Sequence, residues 1–129
     1  MTRSSVLRAL ILFSAILLIG SLMPISFKTA LHTDRRIIHP LLHLAAFAVL
    51  TALTALLAKS RYRALVAPFA AIFFGFVLEF LEHTAYHQIL EVSDVLLDSC
   101  GAAVGYLVYA VLGTGYGFPP KPVGKSSAS

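Results

Sequence analysis

Four apolar stretches, Val6 to Met23, Ile38 to Ala58, Leu65 to Leu81 and Val95 to Leu112, take up most of the 129 residues. Each approaches the roughly 20 apolar residues that cross a hydrocarbon core of about 30 Å. Alternation of period two, the mark of a membrane barrel strand, is missing from all four, so helices are predicted. A helix also satisfies its own backbone polar groups in lipid. The sequence therefore predicts an all-α integral membrane bundle of four transmembrane helices, with the lipid bilayer as its first partner. Residues 1–113 form the membrane domain, and 114–129, rich in Gly, Pro, Lys and Ser, form a flexible polar tail.

Arg3 and Arg8 before the first stretch also fit a secretory signal peptide. No Ala-x-Ala pattern follows Gly20, and the stretch exceeds a usual signal core, so it is expected to remain as a first helix. The lone cysteine, Cys100, has no internal disulfide partner and reads as a small packing residue.

Basic residues flanking membrane helices favour the cytoplasm. Arg3, Arg8, Lys59, Arg61, Arg63, Lys121 and Lys125 fall on one side of the four-helix model, against Lys28, Arg35 and Arg36 on the other. Both termini are thus expected in the cytoplasm. The net charge of +4 then reflects orientation, and no basic soluble face supports a nucleic-acid partner.

Every Asp, Glu and His lies within His32 to His43 or Glu79 to Asp98, which this topology places at the outer end of the bundle. Charge at membrane depth costs roughly 2.5–3.5 kcal/mol per group at the centre on insertion scales, so these residues need partners or a task. His39 and His43 are four apart and share a helix face. Such a pair can ligate a metal, but hydrogen bonding of His43 to a neighbouring helix is the preferred reading, and no metal or cofactor is assigned. Gly75, Glu79 and Glu82 form one stripe on the third segment. Asp94, Asp98, Gly101 and Gly105 form another on the fourth, in which Gly-x-x-x-Gly admits a close helix partner, including a second copy of the chain. Arg35 and Arg36 are expected to fold over the outer mouth and pair with the acids.

The order of these elements resembles the VanZ-like family. The likeness is carried by His43 in HPLLHLAAF, Gly75 and Glu79 in FGFVLEFLE, and Asp94, Gly101 and Gly105 in SDVLLDSCGAAVG. His39 and Pro40 stand where that family commonly has Asp-Lys, Glu82 where Gln is frequent, Gln88 where an Arg often precedes the Asp, and Asp98 where Asn is usual. The resemblance implies a small multi-pass protein of the bacterial inner membrane, in a family named for a member associated with low-level teicoplanin resistance.

Four functions are open at this point. The leading one is a non-catalytic envelope protein whose polar pocket, built from His39, His43, Glu79, Glu82, Asp94, Asp98, Arg35 and Arg36, binds a cell-wall precursor or glycopeptide. The others are a metal-assisted membrane enzyme, an ion-coupled transporter, and a cluster that only ties helix ends together. No hydrolase motif is present: Glu82-His83 lacks a second His at metalloprotease spacing, and Gly-x-Ser-x-Gly does not occur.

Overall fold

The computed structural model describes residues 2–23, 37–87, 89 and 91–112, all helix or short connection with no strand among them. The elements are α1 (Arg3–Ser21), α2 (Ile38–Leu56), α3 (Arg61–Ala64), α4 (Val66–Tyr86) and α5 (Val92–Leu112). Four helical spans are long and apolar enough to cross a membrane: α1, α2, α3 together with α4, and α5. Arg35, Arg36, Lys28, Gln88 and the expected polar tail from Thr114 lie outside the described residues.

Local chemistry sets several helix ends. Thr2 caps α1 by accepting the Ser5 amide at 3.2 Å, and Ser60 caps α3 by accepting the Arg63 amide at 3.3 Å. The break between α3 and α4 falls at Leu65, just after Ala64, whose carbonyl would take its i+4 hydrogen bond from Pro68, a residue with no amide to donate. At its other end α4 stops at His87, whose backbone is left-handed with φ of 53°. That conformation closes the helix without a glycine.

The centre of the bundle is the pair α2 and α5, which run parallel. His43 meets Asp98, Leu44 lies against Gly101, and one turn further along each helix Ala48 lies against Gly105. A Cβ on Gly101 would strike the Leu44 carbonyl oxygen, and one on Gly105 would strike that of Ala48. Backbone meets backbone here, which only glycine permits. The Gly-x-x-x-Gly stripe is therefore filled by α2 of the same chain, and a homo-oligomer through Gly101 and Gly105 would first have to displace that helix.

Helix α4 runs antiparallel to this pair and closes the core, where Phe47, Leu50, Ala71, Leu78 and Ala102 pack together. A second cluster of Ala55, Ala64 and Ala67 packs with Tyr106 and Tyr109 at the opposite end. Helix α1 is peripheral, with Val6 its one buried residue. Large apolar side chains face outward all along the bundle, among them Leu12, Phe69, Phe73 and Val111. In a soluble protein such a surface would aggregate; in a bilayer it is solvated by lipid tails.

Candidate functional site

The starts of α2 and α5 and the end of α4 meet at one end of the bundle, and the polar residues gather there. His39 and His43 are one turn apart on α2 with ring centroids 4.6 Å from each other. Asp94 and Asp98 are one turn apart on α5, both buried. The parallel register sets the two stripes side by side.

His43 is the link between them. Its Nδ1 lies 2.8 Å from Asp98 Oδ1, a short charge-assisted hydrogen bond in which the ring N–H donates to the carboxylate. Its Nε2 faces Asp94 Oδ2 at 3.7 Å, beyond hydrogen-bond range. Asp98 is held from the other side by α4: a Cβ on Gly75 would sit 2.6 Å from Asp98 Oδ2 and 2.8 Å from the Phe47 ring. Gly75 thus leaves the room that the carboxylate occupies.

Two further acids have structural partners. Glu79 Oε1 accepts the backbone amide of Glu91 at 2.7 Å, tying the end of α4 to the connection that enters α5. Glu82 Oε2 accepts from Ser21 Oγ at 3.3 Å, which joins α4 to the end of α1. Tyr86 adds to that join, its hydroxyl donating to the Leu22 carbonyl. Glu79 remains close enough to Asp94 and His43 for their charges to interact.

Of the residues singled out in the sequence, the structure brings His39, His43, Asp94 and Asp98 into one cluster and places Gly75 directly beneath Asp98. Glu79 borders the cluster and Glu82 faces α1. Ser21, Phe47, Tyr86 and Glu91 were not anticipated. Phe47 had a signal, since it continues the His39 and His43 stripe by one more turn. The partners of Ser21 and Tyr86 are 57 or more residues away in the chain and left none.

The three donors His39, His43 and Asp94 each present one atom to a common space, all within 4.8 Å of one another. The same end of the bundle carries a shallow, open apolar groove of about 360 Å³ on its outer surface, lined by Ile37, Pro40, Leu41, Leu44 and Leu97. Pro40, Leu44 and Leu97 are chain neighbours of His39, His43 and Asp98, so groove and cluster share the same two helices.

A family model described as VanZ/LLP1 matches residues 2–113, and the chain belongs to that family. No curated protein and no solved structure matches it.

Proposed function

We propose that this VanZ/LLP1 member is a bacterial inner-membrane protein of the cell envelope whose polar cluster opens on the extracytoplasmic side and binds the head group of a membrane-linked cell-wall precursor. The observation that carries the reading is the pairing of two buried aspartates and two accessible histidines with an apolar surface groove on the same two helices. The groove suits a prenyl or acyl chain and the cluster suits a polar head. A water-soluble glycopeptide would use the cluster but has no need of the groove.

The orientation follows from charge. Lys59, Arg61 and Arg63 stand at the end of the bundle opposite the cluster, which the positive-inside preference assigns to the cytoplasm. The start of α1 and the end of α5 lie at that same end of the bundle. A cysteine placed at exposed Ile89 in a Cys100→Ala background is then labelled by a membrane-impermeant thiol reagent from outside the cell.

Binding is tested with purified protein in lipid nanodiscs, titrated with a polyprenyl-linked disaccharide peptide and, in parallel, with teicoplanin. Saturable binding of the former, lost in Asp94→Asn with the helical fold intact, is the expected result. The reading is abandoned if neither ligand binds saturably and Asp94→Asn and Glu79→Gln cells match wild type in glycopeptide susceptibility. Teicoplanin binding alone would transfer the site to the antibiotic.

A further inference from the structure

The hydrogen bond between His43 and Asp98 decides which ring nitrogen is left over. With Nδ1–H donated to Asp98, Nε2 of a neutral imidazole carries a lone pair, and it is directed at the Asp94 carboxylate 3.7 Å away. A proton on Nε2 would make this contact an ion pair; with the ring neutral, a metal cation takes the proton's place between the two atoms. His39 brings a third donor to the same gap.

We infer that His39, His43 and Asp94 bind a divalent transition-metal ion of the zinc class, with Asp98 as the positioning residue that fixes the His43 ring. Two imidazoles and one carboxylate are a ligand set that zinc accepts, leaving a fourth position open. Bonds of about 2.0–2.1 Å at a tetrahedral angle put neighbouring ligand atoms roughly 3.3 Å apart. The 3.7 Å separation of His43 Nε2 and Asp94 Oδ2 needs only a small contraction to reach that. The widest separation in the trio, within 4.8 Å, closes by side-chain rotation at His39, which sits in the first turn of α2.

The carboxylate behind the imidazole is an independent observation. A metal-bound His almost always donates its second N–H to a carboxylate, carbonyl or water, which sets the tautomer and the ring plane. Asp98 meets that need, Gly75 provides the space for it, and Phe47 packs against the same space. Electrostatics agree. Asp94 faces the gap directly and Asp98 stands behind the His43 ring, so carboxylates flank the position from two sides.

The inference shares residues with the reading above and rests on it only for the ligand. Cell-wall precursors bear phosphates and carboxylates, which an acidic cluster would repel. A bound ion with an open position turns that repulsion into coordination.

The test uses full-length protein carrying Cys100→Ser, purified in detergent, treated with chelator and desalted. Zn²⁺, Co²⁺ and Mg²⁺ chlorides are titrated by calorimetry, and Co²⁺ binding is also followed by visible absorption. One Zn²⁺ per chain, a Co²⁺ spectrum of four-coordinate intensity and no Mg²⁺ binding are expected. His39→Ala and Asp94→Asn each lower zinc affinity by more than about 100-fold, and Asp98→Asn by about 10–100-fold with a shifted Co²⁺ spectrum. Metal-free unfolding midpoints of these variants establish that they are folded. Less than one zinc per several wild-type chains, or variants that bind like wild type, overturns the inference. If a variant does not fold, a wild-type Co²⁺ spectrum without four-coordinate bands has the same force. Precursor binding by a protein that takes up no zinc refutes this inference alone, and metal binding without any precursor or glycopeptide binding refutes only the ligand reading.

Discussion

Replacing Gly105 by alanine adds one methyl group where α2 and α5 touch, and the structure fixes what that methyl meets. It would lie 2.8 Å from both the carbonyl carbon and the Cα of Ala48, and closer still to the carbonyl oxygen. Carbon atoms in contact prefer about 3.5–4.0 Å, so the overlap is roughly 0.7 Å or more. Neither side can turn to another rotamer, because both are backbone, and the two helices must separate. Overpacking of this kind costs about 1–3 kcal/mol. The gain in helix propensity from Gly to Ala returns about 0.5–1 kcal/mol, leaving a net loss of up to about 2.5 kcal/mol. Gly20 is the matched control, for a methyl there has nothing within 4 Å, and Gly20→Ala keeps only the favourable part. Reversible unfolding in mixed micelles, followed by far-UV circular dichroism, should rank Gly20→Ala at or above wild type and Gly105→Ala below it. A Gly105→Ala protein as stable as wild type would refute the close parallel packing of α2 on α5.

Other substitutions test single contacts. Thr51 is fully buried and its hydroxyl has no hydrogen-bond partner among the described residues, so the isosteric Thr51→Val should be neutral or raise the unfolding midpoint. His87→Gly should stabilise by about 1 kcal/mol, because it relieves a left-handed backbone at the end of α4. Asp98→Leu should destabilise by about 1–3 kcal/mol, leaving the His43 N–H without its acceptor, while Asp98→Asn retains most of the stability; equal midpoints for the two would show that the 2.8 Å bond contributes little. Gly75→Ala should displace the Asp98 carboxylate and the Phe47 ring, weakening binding at the cluster more than it changes helix content, as read by titration and circular dichroism on the same sample.

The four spans were legible in the sequence because bilayer thickness fixes the length of an apolar segment directly. Their ends were less so. Hydropathy ends the third segment at Leu81, but α4 runs on to Tyr86 through Glu82, His83 and Thr84, and Thr84 Oγ1 bonds back to the Phe80 carbonyl at 2.8 Å. Polar residues at a membrane boundary lower hydropathy without ending the helix. Stripes along one helix were legible too, since spacing alone places His39 over His43 and Asp94 over Asp98. What spacing cannot supply is the partner of each stripe. Gly101 and Gly105 announce a close neighbour, yet nothing in the sequence says whether that neighbour is α2 or another copy. The partner of Glu79 is a backbone amide, which has no side-chain signature at all.

The same partners separate the acids by role. Glu82 reaches Ser21, Glu79 holds the amide that leads into α5, and Asp98 receives the proton of His43 at 2.8 Å. Each of these contacts offsets part of the cost of taking a carboxylate out of water and each fastens one element to another. Asp94 does neither. It is buried, and among the described residues its carboxylate has no polar partner closer than His43 Nε2 at 3.7 Å. A cluster that served only to close the bundle would place its most buried acids in its best hydrogen bonds, as it does with Asp98. Asp94 instead stands one turn nearer the open end, turned toward His43 Nε2 at a distance that no direct hydrogen bond spans. Removal of its charge therefore divides the two possibilities. If Asp94→Asn unfolds the protein, the cluster is a clasp; if Asp94→Asn leaves the unfolding midpoint unchanged or higher while ligand or metal binding disappears, the cluster is a site held in place by its neighbours.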